Sequence, residues 1–216
     1  KVISTFFSFS PPFLGVKYHA KVHFPKDLIG LYNFRGGYCG VSHVEDDRVN
    51  ICYLSKRDNL KAHKGIPEME ESILYKNPIL KDLFRNAEML LDKPEVINEI
   101  SFEQKSAVEN HMLMAGDTAG LITPLCGNGM AMAIHSGYIA SSAIINFYEG
   151  KLVDRNKVET EYQNIWHKSF SKRLWVGRKT QNLFGNQSRA SLSVGFMKGF
   201  PSLAKQLIKQ THGEVF

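Results

Sequence analysis

Met114-Ala115-Gly116-Asp117-Thr118-Ala119-Gly120-Leu121-Ile122-Thr123-Pro124-Leu125-Cys126-Gly127-Asn128-Gly129-Met130 is the stretch on which the reading of this chain turns. The run from His111 to Ala115 reads as an apolar strand, Gly116-Asp117 as a turn, and Gly127-Asn128-Gly129 as the mouth of a helix. That helix extends to about Tyr148, closes at Gly150, and is crowded with small residues, among them Gly129, Ala131, Ala133, Ser136, Gly137 and Ala140. Small residues let a backbone come close to a sheet or a flat ring. The layout places one carboxylate, Asp117, at the end of a strand and a row of backbone N–H groups at a helix start. A carboxylate accepts hydrogen bonds from sugar-type hydroxyls, and a helix N-terminus attracts negative charge. The pair suits a polyol-linked cofactor whose ring turns anionic on reduction, which is a description of a flavin. The plain alternative is a Gly-Asp turn against a tightly packed helix with no ligand.

Outward from this stretch, the chain reads as α+β. From Leu14 to Phe24 the apolar residues Leu14, Val16, Tyr18, Ala20, Val22 and Phe24 alternate with Lys17, His19, Lys21 and His23, the period of a half-exposed strand. Further strands are expected near Leu28–Phe34, Tyr38–His43 and Val49–Leu54, the last two joined by Glu45-Asp46-Asp47, and together they suit an antiparallel sheet with one wet face. Ile66-Pro67-Glu68 and Asn77-Pro78 each open a short helix, the second ending near Asn86, and Glu95 to Phe102 is a further candidate strand. Beyond an N-cap at Asp154, Val158, Tyr162, Ile165, Trp166, Phe170 and Leu174 mark a long amphipathic helix that Gly185 would stop, and a last helix starts near Pro201.

The segment Gly116-Asp117-Thr118-Ala119-Gly120, with Pro124 and Gly127-Asn128-Gly129-Met130 after it, resembles the second FAD-binding motif of flavoproteins of the para-hydroxybenzoate hydroxylase fold. Its wording is most similar to the geranylgeranyl-reductase-like branch. The resemblance implies that Gly116 belongs to the cofactor site, that Asp117 binds the ribityl chain of FAD, that Pro124 lies beside the reactive part of the isoalloxazine, and that Gly127, Asn128, Gly129 and Met130 face its pyrimidine end. It also implies NAD(P)H as electron donor and hydride transfer to an unsaturated, apolar small molecule, with a flavin-dependent monooxygenase or halogenase as the alternative on the same scaffold. A second resemblance covers Leu31-Tyr32-Asn33-Phe34-Arg35-Gly36-Gly37-Tyr38 and Val49-Asn50-Ile51-Cys52, which look like substrate-side strands of the same branch. On that basis Tyr32, Phe34 and Tyr38 are substrate-pocket candidates, although aromatic residues in strands also serve as ordinary core. Asn33, Phe34 and Arg35 depart from the reductase pattern and leave the substrate open.

Flavoproteins of this fold open with a strand, a turn and a helix carrying G-x-G-x-x-G, which seats the pyrophosphate. The sequence has no such motif and starts at Lys1. The expectation is a C-terminal portion whose N-terminal Rossmann half is absent, holding FAD weakly by itself and needing that nucleotide-binding half as its partner. The corresponding division is a substrate-side β region at 1–106, the C-terminal strand and helix of an FAD-binding domain at 107–150, and a helical tail at 151–216.

Composition adds bounds. With 43% hydrophobic and 22% charged residues in 216, the chain is ordinary for a globular protein. No apolar run reaches membrane-span length, Pro11-Pro12 argues against a secretory signal, and three cysteines are too few for a disulfide framework, so a cytoplasmic location is expected. Residues 151–216 hold twelve Lys/Arg against four Asp/Glu, which reads as the solvated face of a long helix. A non-catalytic basic module binding an acidic surface is the rival reading; peripheral membrane contact stays open, and no nucleic-acid signature accompanies the charge. Cys126, before a helix start, would have its thiolate favoured by the dipole, though buried and inert is the commoner state. His135 is expected as a packed histidine, and His19, His23, His43 and His63 show no ligand spacing; no metal site and no catalytic residue emerge from order alone.

Overall fold

The computed structural model describes residues 13–103, 105–123, 127–184 and 195–212 and divides the chain into two compact units, one reaching to Ser101 and one starting at Phe102. In the first unit, β1 (Phe13–Lys21), β2 (Ile29–Phe34), β3 (Gly37–His43), β4 (Val49–Lys56), β5 (Glu88–Met89) and β6 (Glu95–Ile100) form an antiparallel sheet. The order is β2-β3-β4-β1-β5, with β6 also paired to β1. Between β4 and β5 run the helices α1 (Arg57–Lys61), α2 (Ile66–Ser72) and α3 (Pro78–Asn86).

Registers sort the sheet into two faces. Leu14, Val16, Tyr18 and Ala20 lie opposite Ser55, Tyr53, Ile51 and Val49, and the same face continues through Cys39 and Val41 of β3. Residues of this face pack with Met69, Leu74, Leu80, Leu83 and Phe84 in one core cluster. The other face carries Lys17, His19 and Lys21, as alternation predicts. Turns follow residue chemistry: Asp46 and Asp47 both take positive φ (59° and 54°) where Val44 N–H closes on Arg48 O at 2.9 Å. Asn77 caps α3, its Oδ1 accepting from Ile79 N–H at 3.0 Å and Leu80 N–H at 3.4 Å, with Pro78 where a missing N–H does no harm.

Under this sheet sits a carboxyl that sequence order did not single out. Glu70 is buried, and its Oε1 accepts hydrogen bonds from the Tyr18 and Tyr53 hydroxyls, each at 2.8 Å. Burial pushes the Glu70 carboxyl above its ordinary range, against the two tyrosine hydrogen bonds that pull it down.

The second unit contains, among the described residues, a short hairpin, β7 (Val108–Glu109) with β8 (Met112–Leu113), and the helices α4 (Gly129–Tyr148), α5 (Arg155–Phe184) and α6 (Pro201–His212), with residues 195–199 also helical. The strand expected at His111–Ala115 is therefore reduced to Met112–Leu113. Asn110 and His111 occupy left-handed backbone (φ 49° and 62°), the conformation a tight hairpin turn demands, so His111 belongs to the turn. Asp154 caps α5, its Oδ1 accepting from Lys157 N–H at 2.9 Å. Val158, Tyr162, Trp166, Phe170 and Leu174 of α5 are buried at every fourth position against Ala119, Ile122, Met132, Ile139 and Ala143. Ile165, expected on the same stripe, stands off it at 40% exposure. The proposed stop at Gly185 lies outside the described residues. Among the described residues no helix is long and apolar enough to cross a membrane.

Candidate functional site

The Gly-Asp turn is a single 3-10 turn, Gly116–Thr118, entered at positive φ by Gly116 (59°). It is held at several points. Met114 N–H donates to Ala107 O at 2.8 Å, and the buried Tyr162 hydroxyl donates to Met114 O. Gly116 N–H donates to Ser136 Oγ at 2.8 Å, while that hydroxyl donates to Ala133 O at 3.0 Å. Thr118 Oγ1 donates to Ala115 O at 2.6 Å and Lys105 Nζ to Asp117 O at 3.3 Å. Burial pushes the Tyr162 hydroxyl up to about 12, so it stays a donor at any physiological pH. The preceding hairpin is tied to the start of α5: Arg155 donates to His111 O and, at 2.8 Å, to Glu159, which also meets His111 Nδ1 at 3.0 Å. The Arg155 guanidinium, then the His111 ring, hold Glu159 below its ordinary range.

Small residues in α4 are what allow this seat. A Cβ at Gly116 would come within 3.2 Å of Ala133 Cβ, so any side chain there would force the turn and the helix apart by a few tenths of an ångström. The turn thus packs on the second turn of α4. At the helix mouth, Met132 N–H to Asn128 O (3.1 Å) is the first α-helical bond, so the N–H groups of Gly129, Met130 and Ala131 have no partner within the helix. Asn128 is buried; Gly127 is exposed, sits at φ +62°, and a Cβ built on it meets nothing within 4 Å. Asp117 is exposed, and among the described residues its carboxylate accepts no hydrogen bond. The arrangement offers a free carboxylate and an open, glycine-lined helix start on one rigid support.

Of the expected cofactor residues, Gly116, Asp117, Gly127, Asn128, Gly129 and Met130 all belong to this second unit, while Pro124 and Cys126 lie outside the described residues. The expected substrate residues belong to the sheet unit and do not share a face. Tyr32 and Phe34 alternate onto the helix-covered face, where Phe34 meets Tyr53 edge-on at 6.0 Å between ring centroids. Tyr38, opposite Asn33 and Leu54, points to the other face with Leu31. Phe34 is core; of the three, only Tyr38 lies on the face away from the helices. Burial raises both the Cys39 and the Cys52 thiols, which suits inert cysteines. His135 packs edge-on to Phe170 at 5.1 Å, with its pKa lowered by burial and by Arg173. Among the described residues no cluster of metal-ligating side chains occurs. Ser136 and Tyr162, which fix the turn, are invisible to motif reading because a helical serine and a core tyrosine have no spacing signature.

No family model matches the chain. It is 22% identical over 157 residues to the conditioned medium factor receptor 1 of Dictyostelium discoideum, covering 71% of this chain and 29% of that protein. Among solved structures it is similar to the flavin-dependent brominase Bmp2, with a TM-score of 0.72, 18% identity, and coverage of 95% of this chain and 51% of that one. The Diels-Alderase PyrE3 matches at a TM-score of 0.63 and 16% identity over 96% of this chain and 45% of that one. The myxobacterial FAD-dependent halogenase CndH matches at 0.58 and 17%, over 76% and 40%. The chain thus spans about half or less of the proteins it matches. Its α+β fold, an antiparallel sheet plus helices, is that of part of these structures.

Proposed function

We propose that this chain is part of an FAD-dependent oxidoreductase, with Gly116, Asp117 and Gly127–Met130 forming one side of the flavin site and Pro124 joining them. The observation that carries the reading is the seating of the Gly116–Thr118 turn on α4 beside an open helix mouth. Asp117 would accept the ribityl hydroxyls. The N–H groups of Gly129, Met130 and Ala131 would donate to the pyrimidine edge, where preorganised donors stabilise charge that develops on reduction. Gly127, with open space where a side chain would stand, lets the ring approach the backbone. The flavin, when bound, supplies the redox chemistry, taking electrons from NAD(P)H. The chain's own residues hold and orient it.

The nucleotide half of that site is proposed to come from an N-terminal Rossmann segment outside these residues. Support comes from α4. It carries no charged residue, yet exposes Met130 (83%), Ile134 (65%), Tyr138 (63%) and Ile145 (54%) along its length. A helix apolar on all sides is normally covered on all sides. The same need for a second half fits the partial coverage of the matched structures.

Motif wording supports hydride transfer to an unsaturated apolar substrate, whereas the likeness to a brominase and a halogenase supports a reaction in which reduced flavin first meets oxygen. Tyr38, buried at 5% exposure on the sheet face away from the helices, is kept as the substrate-contact candidate, beside Tyr32 and Phe34 on the helix-covered face. Oxygen uptake during NAD(P)H oxidation, with and without halide, separates the two: no uptake supports the reductase, and halide-dependent product supports the halogenase. If neither reaction occurs and binding to anionic vesicles instead falls with salt, the basic-module reading replaces both.

A further inference from the structure

A second concave site lies in the same unit, at the edge of the buried stripe of α5, and it is chemically unlike the helix mouth. Its α5 residues, Trp166, His167, Ser171, Leu174, Trp175 and Arg178, fall on one helical stripe, and Lys105, Ala119 and Gly120 close the opposite side. The cavity measures about 180 Å³. Gly120 is what makes it narrow: a Cβ there would stand 3.0 Å from Leu174 Cδ1 and 3.4 Å from Trp166 Cη2. The backbone therefore reaches down onto the aromatic floor.

The lining holds two basic side chains, Lys105 and Arg178, and no carboxylate. Among the described residues neither cation enters an ion pair; Lys105 donates only to Asp117 O, and Arg178 makes no hydrogen bond. His167 Nδ1 and Ser171 Oγ, hydrogen bonded at 3.1 Å, add polar atoms to the same wall. The rest of the lining is the two indoles with Leu174, Ala119 and Gly120, and Lys179 Nζ stands over the Trp175 ring at 5.7 Å from its centroid. Two basic side chains lining one cleft, with no carboxylate in that lining, favour an anion, and arginine favours planar oxyanions in particular. The volume is below the roughly 300 Å³ at which pockets for drug-sized ligands begin, so the guest is small.

We propose that this cleft binds a small aromatic oxyanion, its charged head meeting Lys105 and Arg178 and its ring lying along the tryptophans. The proposal is independent of the flavin site and goes beyond it. Both tryptophans of the chain, Trp166 and Trp175, line this cavity, so intrinsic fluorescence excited at the indole edge reports on this place alone. The test titrates the full chain with phenyl phosphate, benzoate, inorganic phosphate and phenol. The expected result is a saturable fluorescence change with phenyl phosphate or benzoate, the stronger of the two fixing the head group, and weaker binding of inorganic phosphate. Phenol is expected to give none. Arg178→Gln and Lys105→Gln are each expected to weaken binding about tenfold, in line with loss of a hydrogen bond to a charged group. Arg178→Lys should retain most of it. Equal responses to phenol and phenyl phosphate, or unchanged affinity in Arg178→Gln with unaltered circular dichroism, would overturn the proposal. So would a flat titration to millimolar ligand. Among the described residues Arg178 makes no hydrogen bond to the Asp117 turn, so Arg178→Gln is expected to leave FAD absorbance unchanged, and failure in that arm leaves the flavin reading standing. Lys105 also donates to Asp117 O, so Lys105→Gln is read for ligand affinity only.

Discussion

Ser136→Ala is the sharpest probe of how the Gly-Asp turn is held. Ser136 is 1% exposed and its hydroxyl bridges two elements, accepting from Gly116 N–H at 2.8 Å and donating to Ala133 O at 3.0 Å. The carbonyl of Ala133 lies within α4 and keeps its helical role when the hydroxyl is deleted. The N–H of Gly116 loses its acceptor. Leaving a buried donor unsatisfied costs about 1–3 kcal/mol, and the part-buried position of Gly116 places the expected loss at about 1–2 kcal/mol. For a chain of 216 residues that corresponds to a fall in Tm of roughly 2–8 °C. Chemical denaturation should show the loss as a shifted midpoint at constant slope, since the surface exposed on unfolding is unchanged. The turn also presents Asp117, so FAD affinity should fall further than stability does. Ser136→Thr, which retains the hydroxyl, is the control for the hydrogen bond. A Ser136→Ala protein with wild-type stability and wild-type FAD affinity would show that this hydroxyl does not organise the turn.

Other substitutions test other joints. Gly116→Ala combines positive φ (59°) with a 3.2 Å approach to Ala133 Cβ, and a loss of about 1–2 kcal/mol is expected from the backbone term alone by urea denaturation. Gly127 also has positive φ but open space around it, so Gly127→Asn should fold nearly as well as wild type while Gly127→Val loses about 1–2 kcal/mol; flavin titration should show both weakened. Glu70→Gln keeps an acceptor for Tyr18 and Tyr53 and removes a buried charge, so its neutral-pH Tm should equal or exceed wild type. Because the Glu70 pKa is raised on folding, wild-type stability should rise as pH falls through that raised value and level off near the ordinary 4.5, a trend that thermal melts should find missing in Glu70→Gln. Tyr162, raised from 10.0 to about 12, adds stability that is fully present below pH 10 and lost as pH climbs toward 12; Tyr162→Phe should flatten that part of the alkaline melt profile.

The sheet was legible wherever one face is buried, because the alternation from Leu14 to Ala20 records which side chains meet the helices. Caps were legible too, since Asn77 and Asp154 do their work on N–H groups two or three residues away. The hairpin at 108–113 was not. Its turn uses Asn110 and His111 in left-handed backbone, and nothing in the apolar run that follows marks where pairing begins. The buried Glu70 was equally hidden, because its partners Tyr18 and Tyr53 come from strands that sequence order cannot bring to it. For the candidate site, the motif named the residues proposed to meet a cofactor, and the structure added those that hold the Gly-Asp turn: Ser136 from α4, Tyr162 from α5 and Lys105 from the preceding segment. Tyr32 and Phe34 show what alternation alone leaves open. Two aromatic residues two apart on a strand share a face, and here that face is the covered one.

The central claim is that Asp117 and the Gly127–Met130 helix mouth are one side of a flavin site. Its most direct measurement is the flavin absorbance of the natural full-length gene product after dialysis against FAD, for wild type and Asp117→Ala side by side. Stoichiometric bound flavin in the wild type, falling by tenfold or more in affinity when the carboxylate is removed, is the predicted result. A colourless wild-type protein at saturating FAD, or an Asp117→Ala protein that binds as tightly as wild type, would contradict it.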